Sequence, residues 1–141
     1  MGVESKVPGD LEGSYREALY RVEALEGPFI LRVDVPSPEL KALLGLHQAP
    51  CAAYVTAYNH EGRLAPQKEN QKRQQELEAD LNPWVLFPGA GEDPGGKWPP
   101  EPSFLVLGIP LEKARELGAK YRQNAILWVD ADGVPKLELL R

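Results

Sequence analysis

A chain of 141 residues and 15.6 kDa, 43% apolar and 26% charged, has the makeup of one ordinary globular domain with a sizeable core. Its net charge of −5 argues against a nucleic-acid footprint; the nearest basic group, Arg63, Lys68, Lys72 and Arg73, is diluted by Glu61 and Glu69. No apolar stretch approaches the roughly 20 residues of a membrane helix, and Met1-Gly2-Val3-Glu4-Ser5-Lys6 has no apolar signal core, so a cytoplasmic protein is expected.

Residues 1–9 read as a flexible tail before a domain over 10–141. Ser14-Tyr15-Arg16-Glu17 has capping-box spacing and predicts a helix around 10–18. Its far end has two readings. Tyr15, Ala18, Leu19, Val22 and Leu25 suit a longer helix, whereas Tyr20, Val22 and Ala24 alternate before the turn-forming Glu26-Gly27-Pro28. A short helix followed by a hairpin is favoured. Phe29, Leu31, Val33 and Val35 alternate with Ile30, Arg32 and Asp34, which predicts a half-buried strand. Ser37-Pro38-Glu39 starts a helix over 38–44 that Gly45 should stop.

Ala49 to Tyr58 is almost continuously apolar, the mark of a strand covered on both faces. The single Cys51 inside it fits packing in a reducing compartment and excludes an internal disulfide. A helix follows over 67–81, then a short strand over 84–87 and another over 103–109. Pro110 opens a helix striped by Leu111, Ala114, Leu117, Gly118 and Tyr121. Strands over 124–129 and 134–139 close the chain as a hairpin across Asp130-Ala131-Asp132-Gly133. The fold class expected is α/β, bordering on α+β: a single domain with a mixed β-sheet and packed helices.

This order places the polar residues. A helix returns the chain to its starting edge, so strand 84–87 should run parallel to strand 50–58. A hairpin-like connection then starts strand 103–109 where 50–58 ends, and the next helix starts strand 124–129 at the same rim. Thr56, Tyr58 and Asn59, the first turns of helix 67–81, the exit of loop 88–102 and Gln123-Asn124 should therefore converge at one sheet edge. Within helix 67–81, Asn70, Gln74, Leu77 and Leu81 share a stripe that turns polar towards that rim, with Arg73 beside it and Glu69 further round. Glu69 and Arg73 also have the spacing of an ordinary helical ion pair.

Gly91 to Lys97 resembles the start of a phosphate-binding loop, but Trp98 replaces the magnesium-binding hydroxyl and Pro99-Pro100 the helix start, so the match fails. Loop 88–102 is instead expected to be the least ordered internal segment, covering the rim, with Trp98 and Glu101 at its exit. Glu69 and Glu101 are the candidate acid and base if the rim brings them together. His47 and His60 lack metal-ligand spacing and Cys51 cannot complete a zinc site, so neither a metal nor a cofactor is expected. Fourteen prolines, many Glu and Leu and few Asn resemble a thermophile's composition.

The series Thr56-Ala57-Tyr58-Asn59, Glu69-Asn70 with Arg73, Trp98 through Glu101-Pro102-Ser103, and Gln123-Asn124-Ala125 resembles a bacterial family known as domain of unknown function 3293. Tyr20-Arg21-Val22 extends the likeness towards the start and favours the early hairpin. The chain departs from that pattern at His60, where the family has proline, and in carrying two prolines before the glutamate. The resemblance brings no activity with it.

Two functions remain for the rim. In one, Thr56, Tyr58, Asn59, Asn70, Arg73, Trp98, Glu101, Gln123 and Asn124 bind a small molecule: Arg73 holds an anionic group, the amides read polar edges and Trp98 stacks. In the other, the same residues staple loops onto the sheet of an interaction module or homo-oligomer. Access to the rim, and whether Arg73 is locked to a carboxylate, separates the two.

Overall fold

The computed structural model describes residues 7–141. The chain runs α1 (Gly9–Glu17), β1 (Leu19–Ala24), β2 (Gly27–Leu31), α2 (Pro38–Leu46), β3 (Cys51–Val55), α3 (Gln67–Asp80), β4 (Val85–Glu92), β5 (Glu101–Leu107), α4 (Leu111–Lys120), β6 (Ala125–Asp130) and β7 (Pro135–Leu139). All seven strands join one sheet in the order β2-β1-β4-β5-β3-β6-β7. The tail expected over 1–9 falls largely outside the described residues, but Val7 is buried and the helix already starts at Gly9.

Helices and sheet share one architecture, as the fold class anticipated. The sheet is not mixed, however: every ladder is antiparallel. The reason is that β5 inserts between β3 and β4. Those two strands do run in the same direction, as the crossover through α3 requires, but they never touch. The rim argument survives intact, because β5 begins opposite the end of β3 (Val55 beside Phe104) and β6 also starts there (Tyr54 beside Leu127).

Period-two alternation divides the sheet into two apolar faces. Val22, Ala52, Tyr54, Phe87, Leu105, Leu107, Leu127 and Val129 line the concave face, where Leu40, Leu43 and Leu44 of α2 pack. Ala53, Val55, Val106 and Ile126 line the convex face under Leu77 and Leu81 from α3 and its C-cap and Ala114 and Leu117 of α4. Ser37 caps α2 as expected by accepting the Leu40 N–H at 3.1 Å, while Gly45 lies inside the helix.

Three local expectations change. Ser14 caps nothing: α1 begins after Pro8, and the Ser14 carbonyl accepts the Ala18 N–H at the other end. Strand β2 stops at Leu31 because Asp34 takes a left-handed conformation (φ 65°), which turns Val35 out to solvent. The segment beyond it crosses to the opposite edge of the sheet, where the Asp34 N–H donates to the Pro135 carbonyl at 2.7 Å and Ser37 to Gly133 at 3.0 Å. The sheet thus curls towards closure. Most consequential, the first third of loop 88–102 is strand: β4 continues through Pro88-Gly89-Ala90-Gly91-Glu92, pairing with β1 and with β5. Pro88 sits just before the β1 rungs begin at Gly89, so its missing N–H costs that ladder nothing. The turn beyond is tied by Asp93, whose carboxylate accepts the Gly95 and Lys97 N–H groups.

Candidate functional site

Tyr20 of β1, Gly91 of β4 and Glu101 of β5 lie on one rung across three adjacent strands. Their side chains share the concave face, and the middle one is missing. Gly89, one step further along β4, lies opposite Val22 and Ser103 and likewise adds no side chain. At Gly89 that space is taken by the Arg21 carbonyl and the Tyr54 hydroxyl, whereas Gly91 leaves a hollow of about 180 Å³ at the rim where β3 ends and β5 and β6 begin. Tyr20, Tyr54, Ser103 and Leu127 line it from the sheet; Leu11, Ser14 and Tyr15 of α1 form the facing wall; Trp98 and Leu64 flank it.

Thr56, Asn59, Glu101 and Gln123 enter its lining. They are set there by a chain of hydrogen bonds that begins at the turn after β3. Asn59 takes a left-handed conformation (φ 49°), open to asparagine at lower cost than to most residues. Its Oδ1 accepts the Ala65 N–H at 3.0 Å and Asn70 Nδ2–H at 2.9 Å, and its Nδ2 donates to Glu101 Oε2 at 2.6 Å. Asn70 Oδ1 returns the favour by accepting the Asn59 N–H at 2.8 Å. Nearby, Gln74 accepts from Ala57 N–H at 2.8 Å and donates to the Pro102 carbonyl at 3.0 Å, an acceptor it shares with the Thr56 hydroxyl at 2.7 Å. Gln123 donates to the Tyr58 carbonyl at 3.0 Å. Each amide joins α3 or the start of β6 to the end of β3 or the start of β5. The staple and the hollow are therefore one construction: the network holds Glu101 in the wall.

The other expected site residues stand back from the hollow. Tyr58 is buried behind the rim, its N–H bonded to Thr56 Oγ1 at 3.0 Å. Asn70 supports Asn59 without lining the hollow. Asn124 donates to the Tyr15 hydroxyl at 3.0 Å and accepts from Arg141 at 2.9 Å, fastening α1 to the sheet. Arg73 donates to the Tyr121 carbonyl at 2.8 Å and sits 3.7 Å from Glu69. It stitches α3 to the end of α4 and is not part of the lining of the hollow. Glu69 faces Arg73 and His60 on the outer surface, so it and Glu101 do not form an acid–base pair across the hollow.

Arg73→Ala should accordingly cost about 1–2 kcal/mol. A charge-assisted bond to a carbonyl is lost, the exposed pair with Glu69 contributes little, and Gln123 Nε2–H, 3.3 Å from the same carbonyl, partly compensates. Urea unfolding measures it; a loss under about 0.5 kcal/mol would show that the guanidinium fastens nothing.

Burial raises the Glu101 carboxyl above its ordinary value, opposed in part by the hydrogen bond from Asn59. Desolvation likewise pushes up the phenols of Tyr15, Tyr20 and Tyr54. The raised carboxyl makes stability pH-dependent. Folded and unfolded chains both hold the proton at low pH; as pH rises from the unfolded carboxyl value through the folded one, the folded state gives it up at a cost. Glu101→Gln should therefore melt above wild type near neutral pH, with the gap closing in acid. A gap that persists at pH 3 would contradict this.

The aromatic wall was missed in the sequence. Tyr20 carried a signal, alternating with Val22 and Ala24 as an inward-facing strand residue; Tyr15 and Tyr54 read only as core. Tyr20 donates its hydroxyl to the Tyr15 carbonyl at 2.6 Å and Tyr54 to the Arg21 carbonyl at 2.7 Å, so both phenols are occupied. Among the described residues no group of three or more His, Cys, Asp or Glu is placed to hold a metal ion, and no helix is long and apolar enough to cross a membrane.

A family model described as a protein of unknown function, DUF3293, matches residues 55–126, just over half of the chain. The match takes in Asn59, Asn70, Gly91, Glu101 and Gln123 and excludes α1 and β1. Neither the curated proteins nor the solved structures give a match.

Proposed function

The chain belongs to the DUF3293 family of unknown function, and we propose that it binds a small organic molecule in the hollow above Gly91. One observation carries this reading: a carboxyl and an aromatic ring flank a strand position with no side chain, at the end of a sheet whose concave face is otherwise filled. A rim that served only as a staple would gain nothing from leaving that space empty, because unfilled apolar volume forfeits packing contacts. Concave, mostly apolar sites with a few placed polar groups are the usual form of ligand pockets. A volume of about 180 Å³ suits a compact ligand, of the size of one substituted ring.

Gly91→Leu tests the reading. A Cβ at Gly91 would meet only the Tyr20 ring, at 3.8 and 3.9 Å, so the fold tolerates the side chain while the hollow fills. Fragments that raise the melting temperature of wild type should lose their effect in Gly91→Leu, whose own melting temperature stays within a few degrees. Fragments that stabilise both proteins equally, or none that bind, would remove the hollow as a site.

An interaction module is the second reading, favoured by a different region. Leu25 is 97% and Leu46 68% exposed, beside a groove between the β1–β2 turn and α2. It needs none of the rim residues.

A further inference from the structure

We infer that the ligand of this hollow is an organic cation, an ammonium or amidinium group carried on a small apolar body. This rests on the pocket reading above and specifies its chemistry.

Charge comes first. Among the described residues that line the hollow, Glu101 is the one that carries a carboxylate, and no lysine, arginine or histidine accompanies it. Its hydrogen-bond partner is neutral: Asn59 donates to Oε2, and none of the ion pairs among the described residues includes Glu101. Elsewhere the protein pairs its carboxylates freely, Glu61 with Arg122 and Glu92 with Arg21 among them. The one in the hollow has no counter-charge among the described residues. A half-buried carboxylate without a cation is costly, and a cationic ligand supplies what is lacking.

The walls point the same way. Tyr15, Tyr20, Tyr54 and Trp98 surround the space. The Tyr20 and Tyr54 hydroxyls are spent on backbone carbonyls, so those rings offer the ligand faces and edges rather than free phenols. Aromatic faces carry negative potential and attract ammonium and guanidinium groups. An anion would meet a carboxylate and these faces, and the described lining holds no cationic group to receive it; Arg73 is turned to the Tyr121 carbonyl and Arg141 to the Asn124 Oδ1 behind Tyr15. Asn59 is also locked in one orientation, because its oxygen already takes two N–H donors. Its nitrogen must therefore face Glu101, where it occupies Oε2 and leaves the carboxylate with acceptor capacity to spare.

Three probes of one shape separate the possibilities: benzylamine, cationic at pH 7, benzyl alcohol, neutral, and benzoate, anionic. Titration calorimetry of the full chain, or its intrinsic tryptophan fluorescence, reads their affinities. The expected result is at least ten-fold tighter binding of benzylamine than of benzyl alcohol, with benzoate weakest. Glu101→Gln keeps an acceptor for Asn59 and should bring benzylamine and benzyl alcohol within about two-fold of each other. Benzoate or benzyl alcohol binding as tightly as benzylamine to wild type would overturn the inference, whether or not the variant folds. If those probes then lose binding in Gly91→Leu, the pocket reading stands while the cation reading falls. A preference for benzylamine retained in folded Glu101→Gln would overturn the role of the carboxylate, and failure of all three probes to bind would overturn the inference as a whole.

Discussion

Gly89→Ala should destabilise the protein by about 3 kcal/mol, far more than an exposed glycine-to-alanine change, which is often neutral or favourable. A Cβ at Gly89 would fall inside 3.0 Å of the Arg21 carbonyl oxygen and of the Tyr54 hydroxyl that bonds it. The first is backbone of the neighbouring strand, so relief requires β1 to move off β4, with the Arg21–Glu92 pair and the whole β1–β2 hairpin behind it. Gly118 makes an instructive contrast. Its added Cβ would meet the tip of Leu140, a flexible side chain that can turn aside, and press on the Ile126 methyl at 3.1 Å, with no backbone in the way. Gly91→Ala, two residues along the same strand, should change stability by less than about 0.5 kcal/mol, because only ordinary contact with Tyr20 awaits it. Urea unfolding of the two variants decides the matter. Equal losses would mean that the hairpin adjusts freely and that Gly89 is not fixed by close strand approach.

Asn59→Ala should cost about 4 kcal/mol, and Asn59→Gly about 1 kcal/mol less. The side chain makes three hydrogen bonds, to Ala65, Asn70 and Glu101. Its removal strands a backbone N–H and a buried carboxyl, each worth about 1–3 kcal/mol when left unpaired, while Asn70 Nδ2 keeps the Ala65 carbonyl at 3.2 Å. Both variants lose these bonds. They differ in the backbone: φ of 49° strains alanine by about 1 kcal/mol and glycine hardly at all. The double variant Asn59→Ala/Asn70→Ala should then lose less than the sum of its parts, since the two amides satisfy one another. Additive losses would show that the pair is not a unit.

The rim could be read from the chain because two helical crossovers fix direction. Once α3 and α4 each return the chain and a hairpin joins β4 to β5, Asn59, Glu101 and Gln123 must reach the same rim whatever the strand order is. The order itself could not be read. That β5 lies between β3 and β4 is a matter of long-range pairing, and no residue pattern within the strands records it. The β4 extension was hidden for a chemical reason: Pro88, Gly89 and Gly91 are turn residues by habit, and here they are selected by a close strand and an empty hollow instead. Arg73 shows the opposite difficulty. Its spacing from Glu69 announced an ion pair, but its main partner is a carbonyl 48 positions away, which sequence cannot point to. Of the aromatic wall only Trp98 belonged to the series that drew attention to the rim; Tyr15 came from α1, Tyr20 from β1 and Tyr54 from β3.

The curl of the sheet has a consequence in time. The pairs that define it join distant parts of the chain: Arg21 and Glu92 are 71 positions apart, and Asp34 and Lys136, where the two outer edges meet, 102. Closing loops of that length spends chain entropy before contact energy returns it, so such folds form slowly. The β6–β7 hairpin and the α2 turn form from near neighbours, whereas the bond from Asp34 to Pro135 requires both edges to be in place. Refolding should therefore pass late through an unclosed sheet, with Tyr20 and Tyr54 still wet and the hollow not yet formed. Ligand present during refolding would then leave the folding rate unchanged and slow only unfolding.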